Sequence, residues 1–432
     1  MYLSKSLTGW PTKSGIARQV SLALSTVVFS SSVLAADFAV DRRKDQFPTS
    51  SGRLIAPIPY SMPGLGKGFF ILGHFSNIFS GTSDFTVIKA TGDIKGYDAN
   101  IDEVPLISKH FFLRAELLDL SSVQVNYYKT RGMNSDKDEY SLLDIRPYKQ
   151  QNYGLNLTFY DRRLTFAVNR KLSEGKFDAF RDPDGNITST FDEPYEIRNN
   201  GTRWSLQADL TDDYQDPRVG LRINLSFQDS PANSKDDADF YVTELDTSYY
   251  APLRVNDTLV FNFFQSDAHV RSKGNLDRDA IAADLNTCDP ASAEYTQCLA
   301  DKETTIDNFV KERSHGTATS LGGTNRLRAF PDSRFSGAHT STIGIEYRMN
   351  FVHEATPINY GIWKDTHTGI QVAFFYELGT VAELTSELWQ DTRYVFGSGV
   401  RLVTKSGAVY RFDLAAGNEG VQPNLFFYYP WN

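Results

Sequence analysis

The feature that most constrains this chain is a strict two-residue alternation of apolar and polar side chains, repeated in segments of about ten residues. From Val219 to Phe227 the odd positions are Val219, Leu221, Ile223, Leu225 and Phe227, and the even ones are Gly220, Arg222, Asn224 and Ser226. Successive side chains of an extended strand point to opposite faces, so one face here is wholly apolar and the other polar or small. Phe111, Leu113, Ala115 and Leu117 alternate in the same way with Arg114 and Glu116, and Trp204, Leu206, Ala208 and Leu210 with Arg203, Ser205, Gln207 and Asp209. Further on, Ile343, Ile345, Tyr347, Met349 and Phe351 alternate with Gly344, Glu346, Arg348 and Asn350. Ile370, Val372, Phe374, Tyr376 and Leu378 do so with Gln371, Ala373, Phe375, Glu377 and Gly379.

A soluble sandwich also alternates, but its strands average about six residues. These runs approach the ~10 residues that cross a bilayer at a tilt, and many carry aromatics near their ends, where interfacial girdles sit. A mean hydropathy of −0.38 does not oppose this, because a barrel shows lipid only every second residue. The expected fold is all-β, a transmembrane antiparallel β-barrel.

The N-terminus suits export. Lys5, Lys13 and Arg18 precede the apolar stretch Val20 to Leu34, and Val33-Leu34-Ala35 offers small residues to a signal peptidase. Cleavage is expected after Ala35, giving a signal peptide over 1–35, a short periplasmic linker over 36–52 and the barrel over 53–432. No later stretch has the ~20 unbroken apolar residues of a spanning helix.

Strands are expected at Arg53–Pro63, Lys67–Ser80, Phe85–Gly96, Lys109–Leu120, Ser122–Arg131, Gln151–Tyr160, Arg163–Leu172 and Thr202–Thr211. The series continues at Arg218–Asp229, Tyr241–Pro252, Thr258–Val270, Thr340–Phe351, Thr368–Val381, Arg393–Thr404, Ala408–Ala415 and Asn424–Trp431. That is about sixteen strands, an even number that leaves both ends periplasmic. Short turns at 119–122, 160–163, 212–217 and 253–257 are assigned to the periplasm, and long polar stretches at 132–149, 174–200, 230–239 and 273–322 to the exterior. Cys288 and Cys298 share the longest of these and are expected to form a disulfide in an oxidising compartment.

The segment Leu321-Gly322-Gly323-Thr324-Asn325-Arg326-Leu327-Arg328-Ala329-Phe330 resembles the hallmark of the BamA/TamA surface-antigen superfamily, a Gly-Gly pair followed by a hydrophobic-Arg-Gly-aromatic tip. Glu346-Tyr347-Arg348, then Phe375-Tyr376-Glu377-Leu378-Gly379, Gly397-Ser398-Gly399-Val400-Arg401, Ser406-Gly407 and Arg411-Phe412-Asp413 are similar to the motifs of the strands that follow. The likeness is specific over Gly322 to Trp431 and only general before it. It departs from the pattern at Ala329, where the family has Gly, and at Glu377, where it has Asp. The resemblance implies that a long sixth extracellular loop folds back into the lumen, its tip carrying Gly322, Gly323, Leu327, Arg328, Ala329 and Phe330, and that Arg328 reaches Glu377. Family members that assemble or translocate proteins carry periplasmic polypeptide-transport-associated domains, for which 36–52 leaves no room.

Parity places Arg114, Glu116, Arg203, Asp209, Arg222, Glu346, Arg348, Arg401, Arg411 and Asp413 on the inner wall. No catalytic set stands out: His74, His110, His269, His315 and His367 lack metal-ligand spacing, and no Gly-x-Ser-x-Gly elbow occurs. The chain is therefore not read as an enzyme, and no cofactor or metal is expected. A net charge of −9 argues against a nucleic-acid partner. The resemblance implies membrane insertion or translocation of proteins or other cargo, with outer-membrane lipid, client proteins and a periplasmic partner protein as associates. A lateral gate fits this, since Pro57, Pro59, Pro63, Pro423 and Pro430 remove ladder donors from the first and last expected strands. The alternative is a passive pore or structural surface barrel without client handling. Mass spectrometry of the mature protein should find Ala36 as its first residue; retention of Val20 to Leu34 would contradict export.

Overall fold

The computed structural model describes residues 46–431 other than 48, 50, 63–65, 80, 184, 255, 284, 286–287, 289, 292–294, 353–356, 361–362 and 405–408. The expected signal peptide, the start at Ala36, most of the linker and the Ser406-Gly407 turn lie outside the described residues.

Seventeen strands form one antiparallel sheet. They are β1 Gly52–Met62, β2 Gly66–Ile78, β3 Ser83–Gly92, β4 Lys95–Ile107, β5 Phe111–Tyr128, β6 Tyr140–Phe159, β7 Leu164–Arg181, β8 Ile187–Asp209 and β9 Gly220–Ser230. Then come β10 Asp239–Pro252, β11 Thr258–Ser272, β12 His339–Val352, β13 Pro357–Tyr360, β14 Trp363–Ala382, β15 Arg393–Thr404, β16 Val409–Gly417 and β17 Gly420–Phe427. Each strand pairs with the next, except that β12 pairs with β14 and β13 is a short arm on the start of β14. Sixteen strands thus make the wall. β1 and β17 come alongside, with Cα atoms within 8 Å, but no ladder joins them among the described residues.

Burial is inverted relative to a soluble protein. Ile343 and Phe374 are each 50% exposed on the outer face, whereas Glu346 and Arg401, on the inner wall of the same strands and their neighbour, are 0% exposed. This is the arrangement a lipid-facing barrel requires.

The wall differs from the expected strands in instructive places. β4 was not anticipated, because register shifts at Lys95/Gly96, Ile101/Val104 and Pro105/Ile107 break its two-residue period. The expected turn at 119–122 lies inside β5, where the ladder with β6 opens opposite Ser121-Ser122 and Arg146-Pro147. The two errors cancel in the strand count. The expected loops at 132–149 and 174–200 are largely strand, since β6 begins at Tyr140 and β7 and β8 run to Arg181 and from Ile187. Register shifts at Asp144/Ile145, Ile145/Tyr148 and Phe177/Ala179 break the period there, although Val123, Leu143 and Ile145 form a buried cluster on one face.

The loop after β11 carries two helices, α1 Arg278–Ala283 and α2 Tyr295–His315. The Cys288–Cys298 disulfide, with Cα atoms 5.9 Å apart, ties the start of α2 to the segment before it. The chain then enters the lumen, where Leu321, Leu327, Ala329, Phe330 and Phe335 form a buried core with Met133, Phe375, Val381, Val395 and Ala415. The final expected strand is also shorter than read: β17 stops at Phe427, Tyr428 adopts a φ of +62°, and Tyr429 and Trp431 turn inward and are buried.

Candidate functional site

The loop tip is a tight turn with Gly322 and Gly323 at φ of +113° and +91° and Leu327 at +51°. Gly323 N–H donates to Phe330 O at 2.9 Å, and Phe330 N–H to Leu327 O at 3.0 Å. The left-handed residue before Arg328 is Leu327, and Ala329 is not left-handed, so the turn does not require the family's glycine at 329. Ala329 is 1% exposed and lies against Gly417.

This geometry projects Arg328 into a nest of carboxylates. Its backbone N–H donates to Glu377 Oε2 at 3.0 Å and its Nε to Glu377 Oε1 at 2.9 Å. Nη1 donates to Asp413 Oδ2 at 2.8 Å, and Glu346 Oε2 lies 3.3 Å from Nη1 and Nη2. The guanidinium stacks 3.5 Å from the centre of the Phe375 ring. Asn424 on β17 donates to Arg328 O at 2.8 Å, tying the tip to the last strand.

The ladder explains the convergence. Glu346 is opposite Phe375, Phe375 opposite Gly397, and Gly399 opposite Asp413, so the acids of β12, β14 and β16 sit at neighbouring rungs, with β15 between the last two. Glycine makes the space: a Cβ on Gly397 would strike the Phe375 ring, one on Gly379 would press on Leu321 and Leu327, and one on Gly344 would strike Trp431. Arg401 donates to Asp413 at 2.5 Å and to Glu346 at 3.0 Å. Arg348 Nε donates to Glu346 Oε1 at 2.8 Å, and Arg411 lies 3.4 Å from Asp413 and donates to Thr324 O at 2.7 Å.

The other inner-wall charges do not join this nest. Arg114 pairs with Asp102 at 3.0 Å, Glu116 accepts from Asn152 at 2.6 Å, Arg203 pairs with Glu244 at 2.5 Å, and Arg222 with Asp209 at 2.8 Å. They form local cross-strand pairs along β4 to β10. His74 lies between two hydroxyls, 2.9 Å from Ser76 Oγ and 2.9 Å from Thr86 Oγ1. Among the described residues no cluster suited to a metal ion occurs.

Several fastenings escaped sequence reasoning. Arg326 pairs with Asp246 and stacks on Phe264 at 3.6 Å. Arg334 pairs with Glu419 at 2.8 Å and donates to Ser135 O at 2.8 Å. Arg131 grips the neck of the loop, donating to Glu383 at 2.7 Å, Thr317 at 2.8 Å and Gly316 O at 2.9 Å. The concentration of Arg326, Arg328 and Arg334 within one short segment of an acidic chain was the available signal. From below, the Tyr429 hydroxyl donates to Asp216 Oδ1 at 2.5 Å, and its ring lies under Arg348 at 3.7 Å.

No protein-family model matches the chain, and no curated protein matches its sequence. Solved structures similar to it include BamA from Haemophilus ducreyi lacking POTRA domains 1-3, at TM-score 0.47 and 10% identity over 94% of this chain and 77% of that one. CdiB from Escherichia coli follows at TM-score 0.46 and 11% identity, over 89% of this chain and 67% of that one. CdiB from Acinetobacter baumannii has TM-score 0.42 and 10% identity, over 89% and 65%.

Because Arg328 touches three acids, its loss and the loss of Glu377 are unequal. Arg328→Ala should cost about 3–5 kcal/mol, the range for breaking a buried ion pair. Glu377→Ala, which leaves Glu346 and Asp413 in place, should cost less. The double variant should resemble Arg328→Ala alone, because the two residues act as one unit. Protease sensitivity of 321–335 in folded barrels, read against urea, checks this; additive effects, or wild-type behaviour of Arg328→Ala, would contradict it.

Proposed function

We propose that this chain is an outer-membrane barrel that inserts or translocates proteins or other cargo through the seam between β1 and β17, with a periplasmic partner presenting the cargo. The observation that carries this reading is the pairing of a loop tip locked into the lumen with an unpaired seam. Arg328, Glu346, Arg401 and Asp413 are wholly buried, so the loop tip closes the lumen along β12 to β16. At the seam β17 is short, 8 residues, against 11 in β1 and 23 in β8. Pro57, Pro59 and Pro423 withhold ladder donors there.

A cavity of about 990 Å³ adjoins the seam, lined by Ile58 and Tyr60 of β1, Leu72 of β2, Leu425 and Phe426 of β17, and Tyr428. It provides room for an extended segment entering from the side. The alternative of a passive pore asks for an open lumen, and the loop fastenings favour the seam over it.

Cysteine pairs across the seam, such as Ile58→Cys with Leu425→Cys, test the proposal in proteoliposomes. Oxidative closure should abolish insertion of a client barrel and reduction should restore it, with the parent protein unaffected by either treatment. Undiminished insertion through a cross-linked seam would overturn the reading. In planar bilayers the parent protein should conduct little, and Arg328→Ala should conduct more.

A further inference from the structure

The nest around the loop tip is not electrically balanced. The guanidiniums of Arg328, Arg348, Arg401 and Arg411 face the carboxylates of Glu346, Glu377 and Asp413, which leaves one positive charge over among groups no more than 2% exposed. An uncompensated charge in such surroundings is strongly disfavoured. Among the described residues, buried donors without an acceptor remain on Arg401 (Nε), Arg411 (Nε and Nη1) and Arg348, and the Arg348 pair is the one with a second unpartnered group opposite it in the ladder. Arg348 spends its Nε on Glu346, while Nη1 and Nη2, both buried, have no hydrogen-bond acceptor among the described residues.

The surroundings of that open edge are built to receive an acceptor. Thr258 on β11 is directly opposite Arg348 in the ladder. It is 1% exposed, and its hydroxyl is also buried without a partner. The Tyr429 ring stacks on the guanidinium at 3.7 Å and the Tyr250 ring lies 5.8 Å away. Asp216, on the floor below, is occupied: it pairs with Arg218 at 3.1 Å and accepts from Tyr429 and Gln371. A guanidinium edge with two free donors, joined by a hydroxyl and walled by aromatic rings, suits a single small anion held by two parallel N–H bonds.

We propose that the outer edge of Arg348, with Thr258, is a buried binding site for one small inorganic anion, a halide or an oxyanion such as phosphate. The bound anion neutralises the surplus charge of the nest. Tyr429 forms its lid, so the segment after β17 covers the site, and occupancy steadies the inward turn of that segment. The inference rests on the buried donors alone and does not depend on the seam handling cargo.

The test uses the full-length barrel in detergent, with its unfolding temperature followed by heat-modifiable gel migration. Sodium gluconate, whose organic anion is much bulkier than chloride or phosphate, holds ionic strength constant while chloride or phosphate is titrated in. The parent protein should show a saturable rise in unfolding temperature with one or both anions, and which of them saturates at lower concentration distinguishes halide from oxyanion. Thr258→Val should weaken the apparent Kd by about tenfold, the loss expected for one hydrogen bond to a charged group. Arg348→Gln should remove the response. Should Arg348→Gln fail to fold, Thr258→Val keeps the charge intact and carries the comparison, and crystals grown in bromide should give an anomalous peak at Arg348 of the parent protein. Equal unfolding temperatures in gluconate, chloride and phosphate would overturn the proposal, as would an unchanged response in Thr258→Val or, where chloride gives the response, a bromide-free Arg348.

Discussion

A guanidinium shut away from water can be held only by charge and hydrogen bonds from the wall around it, and Arg328 places that demand at the centre of this barrel. Its bonds reach Glu377 on β14, Glu346 on β12 and Asp413 on β16, so one side chain of a loop spans four neighbouring strands of the wall, β12, β14, β15 and β16. The acids in turn need their own cations, which Arg348 and Arg401 supply. The loop, the wall and the last strands therefore constrain one another, and none of these side chains has a satisfied alternative in water-poor surroundings.

Packing follows from the same demand. The inner wall of β12, β14 and β15 is hollowed by Gly344, Gly379 and Gly397, whose missing side chains admit Trp431, Leu321 with Leu327, and Phe375. Above the nest, Arg334 and Arg131 fasten the loop to Glu419 and Glu383. Below it, Tyr429 binds Asp216 on the turn between β8 and β9. The loop fastenings gather on β12 to β16, whereas the cavity lies against β1 to β5 and reaches β17 across the seam. A rigid side facing a roomier one across a short unpaired edge is the physical basis for placing function at the seam.

Much of this was legible in the residues, and the reasons differ by element. The two-residue period made β9, β12 and β14 readable, because lipid outside and polar groups inside impose alternation throughout their length. Parity also put Glu377, Glu346 and Asp413 on one face, and the loop-tip motif supplied Arg328. β4 was hidden because bulges cancel the period, and the extended hairpins of β6 to β8 were hidden for the same reason, by the register shifts around Ile145 and Phe177. Tyr429 and Trp431 read as strand residues, since an aromatic at a strand end serves a girdle or a lumen plug equally well. Their inward turn depends on contacts with Gly344, Asp216 and Arg348 that lie far away in the chain.

The most direct measurement of the central claim is amide hydrogen exchange across 321–335 in the folded barrel. If Arg328 is locked among its carboxylates, the N–H groups of Gly323, Arg328 and Phe330, each with a buried acceptor, should exchange as slowly as those of β14 and β15, orders of magnitude slower than the outer parts of the same loop. Exchange of these amides at the rate of an exposed loop would show that the tip is not held in the lumen, and would contradict the account.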